Sequence, residues 1–168
     1  MTIAADPTQR VHVGIGALAL SKDKNTVLVA YGLGSCIGIS VFDPAAGVGG
    51  MVHVLLPSSD GKAPDPREPA RFADIGVPAL VARCLEQGAL KARLVVKIAG
   101  GASVLGASNG EKFKIGARNA EAVKEHLKAQ GLRLSVEDLG GTKGRTLELH
   151  IAGGKTFVRT ATSQAVEI

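Results

Sequence analysis

The 168-residue sequence predicts one mixed α/β domain whose sheet is largely covered. Three observations carry that expectation. Short apolar, β-branched runs recur along the chain, separated by glycine-rich turns. Two longer stretches place apolar residues at helical spacing. The length suits one domain with a real core. Hydrophobic residues make up 45% of the chain and aromatics only 3%, so Val, Leu, Ile and Ala must build that core. The 22 glycines imply many tight turns and close backbone approaches.

Residues 1–10 read as a loose tail and 11–168 as the domain. Val11 to Gly16 alternates and predicts a first strand. Thr26 to Ala30 predicts a second, running into Gly32-Leu33-Gly34. Ile37 to Phe42 and Gly50 to Leu56 predict a third and fourth strand. The turn Asp43-Pro44-Ala45-Ala46-Gly47 is too short for a crossover, so these two form a hairpin. Pro57 to Pro69 is an exposed loop, long enough to rim or cover a site. Ala70 to Gln87 reads as a helix that Pro78 should kink or restart. Arg93 to Ala99 is a strand entering a second glycine loop, Gly100 to Gly106. Gly116 to Gln130 is a second helix with Ala120, Val123 and Leu127 on its stripe, stopped by Gly131. Leu132 to Val136 is a strand, and Thr146 to Ile151 with Lys155 to Ala161 a closing hairpin. The segments come to seven or eight strands and two helices.

Charge and cysteine usage narrow the function. The net charge of +5 favours an acidic partner. The basic residues are dispersed and no aromatic stacking platform accompanies them, which argues against nucleic acid. Cys36 and Cys84 are too far apart in sequence to read as a disulfide framework. Met1 to Pro7 lacks the charged and apolar regions of a signal peptide, and no apolar run reaches membrane-spanning length. A reducing cytoplasm is therefore the expected location. Without Cys-x-x-Cys or His-x-x-x-His, and with no G-K-[ST] in a phosphate-loop context, no metal or cofactor is expected.

The chemistry concentrates in Gly32-Leu33-Gly34-Ser35-Cys36 and Met51-Val52-His53. Side chains alternate across a strand, so Cys36 and His53 share one face of the hairpin. If Phe42 pairs with Gly47, Cys36 falls opposite His53. If Asp43 pairs with Val48, the two are diagonal neighbours. Either register keeps them within roughly 5–8 Å between Cβ atoms. Two meanings fit Cys36: a small buried hydrophobe, or a nucleophile with Gly34 and Gly38 clearing the approach. His53 is likewise either a core histidine or the base that takes the thiol proton. Backbone groups at Gly34 and Ser35 are candidates for contacting the substrate or an oxyanion. Cys84 reads as core, and His12, His126 and His150 lack a comparable setting.

These stretches, with Lys97-Ile98-Ala99-Gly100-Gly101-Ala102-Ser103, Ile115-Gly116-Ala117-Arg118-Asn119 and Glu137-Asp138-Leu139-Gly140-Gly141, resemble the chemoreceptor glutamine deamidase family, CheD. The resemblance implies an α/β/α sandwich-like domain related to the deamidating cytotoxic necrotizing factors. It implies hydrolysis of receptor glutamine side chains to glutamate plus ammonia in bacterial chemotaxis, with Cys36 as nucleophile and His53 as base. The implied partners are the cytoplasmic region of methyl-accepting chemoreceptors and the CheC phosphatase. In one place the chain departs from the pattern. A threonine that helps to orient the histidine normally lies six residues before the cysteine, and Ala30 stands there. Another group must then hold His53, with Ser40 the favoured candidate. The alternative is a protein acting mainly as a regulatory binding module for receptors or CheC.

Overall fold

The computed structural model describes residues 8–104 and 110–168. It holds ten strands in two five-stranded sheets, with two α-helices. The first sheet has the order β1 (Gln9–His12), β3 (Thr26–Leu33), β8 (Arg145–His150), β9 (Thr156–Thr160), β10 (Val166–Glu167). The second has the order β2 (Leu18–Ser21), β5 (Val48–Val54), β4 (Ile37–Asp43), β6 (Val95–Gly100), β7 (Leu134–Leu139). Each sheet is mixed: β1 with β3 and β6 with β7 are parallel, and the other neighbours are antiparallel.

The expectation of one sheet between two helical layers is corrected to sheet, sheet, helices. The pleat shows why. On β4 and β5, Ile37, Ile39, Val41, Val52 and Val54 face α1 (Ala73–Glu86) and α2 (Gly110–Ala129). The alternate positions Cys36, Phe42 and Met51 pack against Leu28, Leu33, Leu147 and Leu149 of the first sheet. A strand apolar on both faces needs cover on both. Here helices supply one cover and a second sheet the other. The outer face of that second cover is polar, where Glu148 pairs with Arg10 and Arg159.

Several boundaries also move. The tail is expected to run to Arg10, but β1 begins at Gln9 and pairs in parallel with β3; residues 1–7 of that tail lie outside the described ones. The short strands β2 and β10 were not expected. Helix α1 runs unbroken through Pro78, which stands half-buried while Val77, Leu80, Val81 and Cys84 are buried. The Pro57–Pro69 loop is tied down. Ser59 donates from its amide and hydroxyl to Asp74 at 2.9 and 2.6 Å, and Glu68 packs on Gly16. Leu105 and Gly106 of the second glycine loop lie outside the described residues. Among the described residues, no helix is long and apolar enough to cross a membrane.

Asp43 closes the β4–β5 hairpin from inside. Its carboxylate accepts the amides of Ala45, Ala46 and Leu90 and the Arg93 guanidinium at 2.9–3.0 Å. Burial alone would raise the carboxyl, but Arg93 and those amides outweigh it and hold it far below the usual carboxylate range. A depressed carboxyl contributes stability that is complete above its unfolded value of 3.8 and fades as pH falls below that. Asp43→Ala strands three amides and a cation, so it is expected to cost on the order of 3–5 kcal/mol in urea unfolding at neutral pH. The gap from the parent should narrow in acid.

Candidate active site

The hairpin register decides the first question. Asp43 pairs with Val48 and Gly38 with His53, so Cys36 and His53 are diagonal neighbours. Both face the first sheet, 6% and 2% exposed.

The Cys36 bend is built by carbonyl capture. Strand β3 bulges between Ala30 and Leu33, with Gly32 at φ +64°. The Gly34 carbonyl accepts from the Ala102 amide at 2.7 Å, and the Cys36 carbonyl from Gly101 at 2.9 Å. Between them, the Ser35 carbonyl accepts from Asn119 Nδ2 at 2.9 Å. Three consecutive carbonyls are thus drawn into the protein. The Gly34 amide is committed to the Gly32 carbonyl at 2.9 Å. The Ser35 and Cys36 amides donate to no other residue among those described, the Cys36 amide lying against its own sulfur. Successive free N–H groups of this kind are an anion-binding arrangement. Gly100 makes the packing possible: a Cβ there would lie 2.0 Å from the Cys36 carbonyl oxygen. At Gly34 a Cβ would meet the exposed Val104 side chain at 2.9 Å.

His53 is held on three sides by the segment linking β1 to β2. Its amide donates to the Ala17 carbonyl at 3.1 Å, and its carbonyl accepts from Gly16 at 2.9 Å. Its ring Nδ1 lies 3.1 Å from the Val13 carbonyl. A carbonyl only accepts, so Nδ1 carries the proton and Nε2 keeps its lone pair. Nε2 is buried with no partner among the described residues. The expected anchor Ser40 does not perform this task; its hydroxyl donates instead to the Lys97 carbonyl at 3.4 Å. Ala30 lies fully buried in the cluster between the sheets.

Both groups rest uncharged. Burial pushes the Cys36 thiol above its ordinary value, opposed by its own amide. Burial also lowers His53, with a further push from nearby His12 and opposition from the Val13 bond. No hydrogen bond joins the thiol to the imidazole in this resting arrangement. A neutral base beside a neutral thiol can accept its proton when a substrate draws them together. Cys84, by contrast, is fully buried on the inner face of α1 and pushed up to about 12 by desolvation, as expected of a core residue. Among the described residues no cluster of three or more potential metal ligands occurs.

Three contributors escaped the sequence reasoning: the Val13 carbonyl, the Gly100-Gly101 pair and Asn119. A backbone carbonyl leaves no mark in sequence. The glycine pair was visible as a motif without a stated role. Asn119 had a signal of its own. It precedes Val123 and Leu127 by one and two turns on the buried stripe of α2, a polar residue where the pattern calls for an apolar one.

The family model for CheD chemotactic sensory transduction matches residues 55–160. A chemoreceptor glutamine deamidase CheD from Thermotoga maritima is 46% identical over 147 residues, covering 88% of this chain and 89% of that one. The chain belongs to the CheD family. A probable chemoreceptor glutamine deamidase CheD from Symbiobacterium thermophilum is likewise 46% identical, over 149 residues, covering 88% of this chain and 90% of the relative. Alignments of that length leave too few residues outside them to miss Cys36 or His53, although the CheD family model begins after both. Among solved structures, the hypothetical protein YfiH of Bacillus licheniformis reaches a TM-score of 0.45 at 9% identity, covering 80% of this chain and 60% of that one.

Proposed function

We propose that this CheD-family protein hydrolyses glutamine side chains of chemoreceptors to glutamate and ammonia, with Cys36 as nucleophile and His53 as base. One observation carries the assignment. Cys36 sits on the same buried face as an imidazole whose Nε2 is deprotonated and, among the described residues, unpartnered, beside two amides that donate to no other described residue.

The steps follow from those atoms. His53 Nε2 takes the thiol proton and Sγ attacks the glutamine Cδ. The Ser35 and Cys36 amides hold the oxyanion. Gly34 clears the approach, its own amide being committed. When the tetrahedral species collapses, the Cδ–N bond breaks and ammonia leaves with the proton from His53. Water then gives a proton to Nε2, adds to the thioester, and expels Cys36, which regains its proton. No step needs a metal or an organic cofactor. A slim glutamine side chain suits a sulfur that is nearly covered. The net positive charge suits an acidic receptor surface in the cytoplasm. Ammonia release from a receptor cytoplasmic fragment tests the proposal. None above background would refute it.

The relationship to cytotoxic necrotizing factor deamidases is a proposal at the level of the Cys/His pair. The alternative, chiefly a binding role with receptors or CheC, took its motive from Ala30. The Val13 carbonyl speaks against that motive, because it accepts from His53 Nδ1 as a threonine hydroxyl could. Ala30→Thr is therefore expected to leave turnover within about threefold, while burying a hydroxyl at a packed position costs about 1–3 kcal/mol. A tenfold or larger gain in turnover would show that His53 lacks its anchor after all.

The acid limb of kcat/KM reports the base in the free enzyme. His53 is depressed by burial, so that limb should have its midpoint below 6.5. A midpoint above that would mean that another group acts as base.

A further inference from the structure

Beyond the thiol and the imidazole, one buried polar side chain among the described residues touches both strands of the site. Asn119 is fully buried on α2. Its Nδ2 donates to the Ser35 carbonyl and to the Leu55 carbonyl, each at 2.9 Å. The flipped amide would set an oxygen against two carbonyl oxygens, so the orientation is chemically unambiguous. The paired hairpin ends at Ile37 and Val54. Cys36 lies just past one strand end and Leu55 just past the other. Two strands leaving a ladder are free to splay, and the Asn119 amide ties them together where they would part. Helix α2 can come this close because Gly116 meets Gly101: a Cβ on Gly116 would lie 2.6 Å from the Gly101 carbonyl oxygen. Asn119 Oδ1 finds no acceptor role among the described residues, so the amide is held there by its two donated bonds.

We infer that Asn119 is a positioning residue whose amide clamps the Cys36 bend to the end of the His53 strand and sets the approach of thiol to imidazole. This rests on the Cys36/His53 assignment above, and it adds a residue of α2 that hydrogen-bonds neither the sulfur nor the ring. The clamp also bears on the two amides of the bend. With carbonyls 34, 35 and 36 all accepting from within the protein, the Ser35 and Cys36 N–H groups, which donate to no other described residue, remain available to a reacting oxygen.

The test uses the chain's two cysteines as separate reporters. Cys36 stands at the site and Cys84 in the core between α1 and the second sheet. Asn119→Asp keeps the shape of the side chain and removes both donors. The protein is treated with iodoacetamide at neutral pH, and each cysteine is followed by peptide mass spectrometry beside turnover of a receptor cytoplasmic fragment. Loosening of the bend alone should speed Cys36 alkylation by about fivefold or more while Cys84 stays protected. Misplacement of the sulfur should lower kcat by about thirtyfold or more and leave KM within about threefold. Parent-like alkylation and kcat would overturn the clamp. So would parallel exposure of Cys36 and Cys84, which is what a merely structural residue would produce. Asn119→Ser, which retains one donor, replaces the aspartate variant under the same criteria if that variant does not fold. If the parent shows no turnover, the deamidase assignment fails by itself. Selective unmasking of Cys36 then still upholds the clamp, and its absence still overturns it.

Discussion

Cys36→Ala is expected to abolish turnover, and His53→Gln to lower kcat by between about a hundredfold and ten-thousandfold. The two losses differ because the groups differ in kind. Without sulfur there is no atom to form the thioester. Without the imidazole the sulfur can still ionise, though burial holds its proton on at neutral pH. His53→Gln keeps a polar side chain of similar length, and the backbone bonds of residue 53 to Ala17 and Gly16 remain, so the strand should stay in place while the base is lost. Cys36 in that variant should still react with iodoacetamide, faster as pH rises. Equal turnover by His53→Gln and the parent would remove His53 from the mechanism. Circular dichroism and urea midpoints close to the parent would show that both losses are chemical.

Gly100→Ala is expected to be the most damaging small substitution in the chain. Its φ of +125° disfavours any side chain, and the added Cβ would sit 2.0 Å from the Cys36 carbonyl oxygen and 3.1 Å from the carbon. Both are backbone atoms, so neither can swing aside. Strain and overpacking together should cost about 3–5 kcal/mol. Relief can come only by moving Cys36, so the folded fraction should also lose activity. Gly131→Ala separates the two effects. Gly131 has φ +74° with nothing within 4 Å of the new Cβ. It should cost about 1 kcal/mol and leave turnover unchanged. Equal urea midpoints for the two variants would mean that Gly100 does not brace the site.

Much of this was legible in the sequence, for definite reasons. The Cys36/His53 pairing followed from strand alternation and a short turn. One of the two registers considered is the one found, because Asp43, fixed by Arg93 and three amides, closes the hairpin against Val48. The helices were marked by Leu80, Val81 and Leu85 and by Ala120, Val123 and Leu127. The closing hairpin of β8 and β9 was marked by its glycine turn. Layer order was not legible. Val41 and Phe42 are both apolar, and alternation cannot say which faces a helix and which a second sheet. The strand β2 was missed because Leu18 to Ser21 is short and half-buried. The anchor of His53 was not legible because it is no side chain, and a backbone carbonyl leaves no mark in sequence. The group that serves is a carbonyl forty residues earlier in the chain, brought alongside by the crossing from β1 to β2.

The most direct test of the central claim is peptide mass spectrometry of a receptor cytoplasmic fragment after incubation with the parent protein or with Cys36→Ala. The expected result is conversion of particular glutamines to glutamate by the parent and none by Cys36→Ala. Equal conversion by both proteins would contradict the assignment of Cys36, and no conversion by either would contradict the deamidase itself.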